Sequence, residues 1–143
     1  MVPWKEIDTV LFDMDGTLLD LHFDNYFWLE VIPKHYARAQ GLAHSEAVDL
    51  IRDKIHSKRG QLKWYCLDYW AEVLALDVTG LKVEAKHLIA EKPFVLDFLQ
   101  ALKDQGKAIH LVTNSHRAGL DLKAAISFHG LLDAPDLPGK KIK

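Results

Sequence analysis

Asp13 and Asp15 stand two residues apart in Asp8-Thr9-Val10-Leu11-Phe12-Asp13-Met14-Asp15-Gly16-Thr17-Leu18. Two carboxylates held close repel each other, and the pKa of one would rise unless a cation sits between them. A hard divalent ion with oxygen ligands, Mg²⁺ foremost, meets that demand. One carboxylate can then act as a nucleophile and the other as a proton carrier. The plainer reading of the same residues is a strand followed by an Asp/Gly turn.

What must position the pair is the run before it. Thr9, Val10, Leu11 and Phe12 have the apolar, β-branched composition of a buried strand. Residues i and i+2 of a strand point the same way, which predicts that Asp13 and Asp15 share a small site at the strand's carboxyl end. A second apolar run, Lys107 to Val112, ends in Thr113-Asn114-Ser115. A strand, a helical crossover and another strand predict a parallel pair with both carboxyl ends on one edge, bringing Thr113 and Asn114 near Asp13 and Asp15. Read locally, Thr-Asn-Ser is also a good helix cap.

Between the strands the chain reads as helices. Asp24 or Asn25 is a candidate cap for a helix through Ile32, Pro33 kinks it or opens the next, and Gly41 closes that one. Ser45 is a candidate cap for a helix to about Arg59, and residues 64 to 76 form the most aromatic helix. Thr79 caps one more. Pro93 opens a helix whose stripe is Phe94, Val95, Phe98, Leu99 and Leu102. A last helix follows from about His116 to Phe128, with Lys123 on its surface. Cys66, the single cysteine, reads as a small core filler among aromatic neighbours and excludes an internal disulfide, in keeping with a reducing cytoplasm. The basic cluster Arg52, Lys54, His56, Lys58 and Arg59 reads as a solvated helix face.

The 143 residues are 49% apolar and 27% charged with a net charge of −2, which is ordinary for a soluble domain and gives no sign of a nucleic-acid or membrane partner. The eight histidines are scattered and show no HExxH spacing.

Asp13-Met14-Asp15-Gly16-Thr17-Leu18 resembles the first motif of the haloacid dehalogenase (HAD) superfamily, most of whose members are Mg²⁺-dependent phosphohydrolases. The resemblance implies that Asp13 becomes an aspartyl-phosphate and that Asp15 is the general acid and base. It implies that the Asp13 carboxylate and the Asp15 main-chain carbonyl ligate Mg²⁺. Thr113 matches the second motif, so Thr113 and Asn114, with nearby backbone N–H groups, would hold the phosphate. The aromatic runs 20–28 and 64–70, with Thr113-Asn114-Ser115-His116-Arg117, resemble the bacterial GMP/IMP nucleotidase subgroup. That implies a purine mononucleotide as substrate, on which aromatic rings of the cap could stack; the plainer reading of most of these rings is core.

The implied fold is α/β: a HAD-like Rossmannoid parallel-sheet core over residues 1–19 and 91–143, with an inserted α-helical C1-type cap over 20–90. Two later motifs of the superfamily, a lysine and an acidic motif at the end of a later core strand, are not recognisable. Asp121, Asp133 and Asp136 have no strand to place them, and the last residues, with Lys140, Lys141 and Lys143, read as an irregular tail. The core is therefore expected to be C-terminally shortened. The alternative to a cytoplasmic nucleotidase is a catalytically impaired remnant serving as a binding or oligomerisation module, its open sheet edge covered in a homodimer. A phosphotransferase or dehalogenase of the same superfamily is a weaker reading, since a dehalogenase has no use for Asp15.

Overall fold

The computed structural model describes residues 1–133. Asp136, Lys140, Lys141, Lys143 and the tail read from the sequence lie outside the described residues. The described residues divide into two compact units: Met1–Leu19, Glu91–Thr113 and 128–133 form one, and Asp20–Ala90 with Asn114–Ser127 form the other.

The first unit is built on two strands, β1 (Thr9–Phe12) and β2 (Ala108–Leu111). They pair in parallel, with Thr9 opposite Ala108 and Phe12 opposite Leu111. Helix α6 (Val95–Asp104) packs on β2 and buries Val95, Leu99 and Leu102. These join Met14, Leu18, Leu19, Ile109 and Phe128 in the buried interior of this unit. Phe94 and Phe98 do not belong to the buried stripe expected of them. Phe94 is 81% exposed and takes a left-handed conformation (φ 67°) as the cap residue of α6, which turns it off the helical face. Phe98 lies edge-on to Trp4 and Phe12. Lys107 folds back and donates to the carbonyls of Trp4 (2.6 Å) and Ile7 (2.7 Å), tying the N-terminal turn to the start of β2.

Asp133 does have a strand to place it. Its N–H donates to the Ile109 carbonyl (3.0 Å), and its carboxylate accepts from the Ile109 N–H (2.6 Å) and from Lys103. The bond from Lys103, then the one from Ile109, hold the Asp133 carboxyl below the usual carboxylate range.

The second unit is helical. Helix α1 (His22–Tyr26) starts earlier than the Asp24 or Asn25 cap predicts, because the Asp20 carboxylate accepts the His22 N–H (2.9 Å). A π-helical turn (Phe27–Val31) leads into α2 (Ile32–Gln40), with Pro33 in its first turn and Gly41 closing it at φ 66°. Helix α3 (His44–Lys58) begins one residue before Ser45, and Glu46 reaches back to the Ala43 N–H (3.1 Å). The aromatic stretch is not one helix from Trp64: Cys66 is extended, and α4 runs Leu67–Leu74. Asp77, rather than Thr79, caps α5 (Val78–Glu84) by accepting from Gly80 N–H (3.0 Å). Helix α7 (Arg117–Ile126) completes the unit.

Phe27, Ile32, Ile51, Leu67, Trp70, Leu74, Val78 and Leu81 form the core of this unit, with Ala118 of α7 against it. Trp70 is buried with its indole N–H satisfied by the Trp64 carbonyl (3.0 Å), so the polar end of the ring is not orphaned.

Beside this core lies a charged cluster. Lys82 and Lys123 are 6% and 2% exposed, and both donate to Asp24, at 3.0 and 2.6 Å. Both ammoniums also lie over an aromatic face, 5.1 and 5.3 Å from the Phe23 centroid. Lys123 is therefore not a surface residue: the inner face of α7 is Gly119 and Lys123, while Ile126 points outward. Burial pushes the Asp24 carboxyl up, but the charges of Lys82 and Lys123 and the hydrogen bonds from both more than offset this and hold it below the usual range.

Asp24→Asn would remove a carboxylate that accepts from two buried ammoniums and is expected to cost on the order of 3 kcal/mol in chemical denaturation. Lys123→Met leaves the Lys82–Asp24 ion pair in place and is expected to cost less. Because the folded Asp24 pKa lies below its unfolded value of about 3.9, its contribution is complete above that pH. It is lost as pH falls through the lower folded value. The gap in stability between the parent and Asp24→Asn should be constant above about pH 4 and narrow steadily as the pH falls below it; a gap that does not shrink with acid would contradict the assignment.

Candidate active site

The parallel register decides where the chemistry-bearing residues of the first unit lie. Phe12 ends β1 and pairs with Leu111 at the end of β2, and the Phe12 carbonyl accepts the Val112 N–H at 2.8 Å. Asp13 is the next residue on one side and Thr113 the second on the other. Both leave the sheet at its carboxyl rim, where parallel strands of α/β proteins present their loops.

Since β1 stops at Phe12, strand alternation does not extend to Asp15. A tight turn places it instead. The Met14 carbonyl accepts N–H groups from Thr17 (3.3 Å), Leu18 (3.0 Å) and Leu19 (2.9 Å), and the Gly16 N–H returns to the Leu19 carbonyl (2.8 Å). Met14, Leu18 and Leu19 are buried, so the turn is anchored by its apolar residues while Asp13 stays exposed and Asp15 half-buried. Gly16 sits at φ 79°, a conformation that costs a residue with a Cβ. The far end of the loop is fastened by Lys92 N–H to the Leu18 carbonyl (2.9 Å).

The Asp13 carboxylate accepts the Met14 N–H at 2.8 Å, which fixes its orientation locally. Thr113 is half-buried. Asn114 is exposed and opens the stretch that packs within the helical unit. The two aspartates offer only oxygen donors, the set that suits a hard cation such as Mg²⁺. A carboxylate oriented by a backbone N–H, a second carboxylate two residues on and a threonine at the same rim are groups of the kinds that phosphoryl transfer can use.

Sequence reasoning missed one cluster in the helical unit. Cys66 is not a core filler: it is partly exposed at the cap of α4, and its thiol lies with the Asp68 carboxylate and a His116 ring nitrogen, all within 4.8 Å of one another. The available signal was the pairing of Cys66-Leu67-Asp68 with a histidine at a helix start.

A model of the haloacid dehalogenase-like hydrolases matches residues 7–138 of this chain. GMP/IMP nucleotidase YrfG of Escherichia coli (strain K12) is 43% identical over 122 residues, covering 85% of this chain and 55% of that protein. The protein of the same name from Shigella flexneri matches with the same identity and coverage. This chain thus spans about half the length of the curated relatives it matches. The crystal structure of a HAD phosphatase from Thermococcus onnurineus superimposes with a TM-score of 0.74 at 23% identity, covering 89% of this chain and 60% of that one. That likeness is one of fold: an α/β core with its parallel strands and accompanying helices.

The anchored turn makes a prediction of its own. Gly16→Ala forces a side chain into left-handed backbone and should lower stability by about 1–2 kcal/mol, read by thermal or urea denaturation. An unchanged midpoint would show that the turn relaxes freely and does not hold Asp15.

Proposed function

This chain belongs to the haloacid dehalogenase-like hydrolase family, and on that premise we propose that it carries the machinery of a Mg²⁺-dependent phosphomonoester hydrolase. The Asp13 carboxylate attacks phosphorus to form an aspartyl-phosphate while Asp15 donates a proton to the departing oxygen. Asp15, now ionised, takes a proton from water, which attacks the acyl phosphate, releases phosphate and regenerates Asp13. The Thr113 hydroxyl and Asn114 hold the phosphate oxygens as charge spreads over them. When bound, Mg²⁺ supplies charge neutralisation between Asp13 and the phosphate. The Asp13 carboxylate and the Asp15 main-chain carbonyl would hold it.

The observation that carries this reading is the Phe12–Leu111 register, which sets Asp13 and Thr113 at one rim. The substrate we propose is a purine 5′-mononucleotide, GMP or IMP, on the strength of the nucleotidases at 43% identity. By the family pattern we assign residues 1–19 and 91–143 to the core and 20–90 to a cap that excludes water and selects the substrate, although Asn114–Ser127 groups with the helical unit in this structure. A reducing cytoplasm suits the single cysteine, and no helix among the described residues is long and apolar enough to cross a membrane.

A second reading has its own support. Leu11 and Val112 are 63% and 58% exposed beside the paired strands. A chain that holds nucleotide without turnover, or self-associates through this face, would be a binding or oligomerisation module.

The two readings separate in one assay. With Mg²⁺, GMP and IMP should release phosphate, Asp13→Asn should abolish release, and Thr113→Val should slow it by about a hundred-fold, as loss of one charge-stabilising donor does. Release that survives Asp13→Asn contradicts the hydrolase mechanism. No release from the parent, with nucleotide binding or dimerisation retained, favours the module.

A further inference from the structure

We propose that Cys66, Asp68 and His116 form a binding site for a borderline-soft divalent cation of the Zn²⁺ class, separate from the oxygen-only pair at Asp13 and Asp15.

Three different donors converge here from segments far apart in sequence. The Cys66 thiol, an Asp68 carboxylate oxygen and a His116 ring nitrogen lie within 4.8 Å of one another. The His116 Nε2 is already 3.3 Å from the Asp68 Oδ2. Ligands at the usual Zn–N and Zn–O lengths, set at a tetrahedral angle, stand about 3.3 Å apart. The thiol needs no more than a side-chain adjustment to complete the set.

The backbone that presents these donors is fixed. Cys66 is the extended cap residue of α4, which places Asp68 in the helix's first turn. His116 is the cap residue of α7. The two helix starts are packed together: a Cβ on Gly119 would lie 3.9 Å from Leu67 Cδ1 and 3.3 Å from Ser115 Oγ. Leu67 and Gly119 are buried, so the donors sit on a rigid base while Asp68 remains open to solvent. Such a site keeps a coordination position for water.

The donor set names the class of ion. One thiolate, one imidazole and one carboxylate suit Zn²⁺, Co²⁺ or related ions, and do not suit Mg²⁺, which wants oxygen and octahedral geometry. A thiolate and a carboxylate bring two negative charges against the ion's two positive ones. Binding takes the thiol proton to solvent. It also moves the ring proton from Nε2, where it faces Asp68, to Nδ1, at the expense of the long 3.4 Å contact from Ala118 N–H. An Asp68–His116 ion pair alone gives the thiol no part, and it is the thiol's place in the cluster that points to a metal.

The test uses the full chain, reduced and stripped of metal, titrated with Co²⁺. A stoichiometric thiolate-to-cobalt charge-transfer band with tetrahedral visible bands is expected, displaced by Zn²⁺ and untouched by Mg²⁺. Cys66→Ser, its fold checked by circular dichroism, should lose the charge-transfer band. His116→Gln and Asp68→Asn should each weaken Co²⁺ binding by more than about a hundred-fold, beyond the effect of losing an outer partner. No thiolate band in the parent, a band that survives Cys66→Ser, or affinity indifferent to both other variants would overturn the site.

Discussion

The parallel pairing of β1 with β2 is the constraint on which the rest depends. Four residues on each side meet in register, and the bond from Val112 N–H to the Phe12 carbonyl closes the pair at its carboxyl end. A slip of one residue would turn the buried Ile109 side chain to the opposite face and move Thr113 along the rim relative to Asp13. So short a pair is weak alone. It is held by α6 on β2, by Phe98 against Phe12 and by Lys107 and Asp133 at its margins. The proposed nucleophile and the proposed phosphate ligand inherit their places from that packing.

The helical unit is organised differently. An apolar and aromatic core carries most of it, yet two of its buried cations share one carboxylate. Replacing such a cluster by apolar residues often does no harm to stability, whereas removing one partner does. Asp24 on α1 binds Lys82 on α5 and Lys123 on α7, so a single carboxylate ties three helices whose order an apolar stripe alone would leave ambiguous. Close to α7, the Cys66–Asp68–His116 cluster joins the starts of α4 and α7. Both arrangements place polar chemistry where the amphipathic pattern of the helices says least.

The fold was largely legible because its signals are local. Apolar runs ending in Asp13 and in Thr113, a helical stretch between them and the resulting parallel pair follow from composition and spacing, and the HAD-like α/β core agrees with them. What was not legible was set by tertiary contacts. Lys123 reads as surface because Leu122 and Ile126 look like the buried stripe, but α7 turns Gly119 and Lys123 inward toward an acidic partner 99 residues away. Phe94 reads as core because the helix was expected to include it, whereas the chain bends at that residue. Asp133 looked unplaced because its partner is a strand edge rather than a strand of its own. Cys66 looked like filler because its aromatic neighbours in sequence hide the histidine that meets it in space. At the candidate site, Asp13 and Thr113 were readable as strand ends, while the position of Asp15 depends on a Met14–Leu19 turn that strand periodicity does not describe.

The most direct test of the central claim is a crystal structure of the chain grown with Mg²⁺ and beryllium fluoride, a mimic of an acyl phosphate. The account predicts beryllofluoride on the Asp13 carboxylate with the Thr113 hydroxyl donating to a fluorine. Fluoride bound elsewhere, or Thr113 turned to the opposite rim from Asp13, would contradict it.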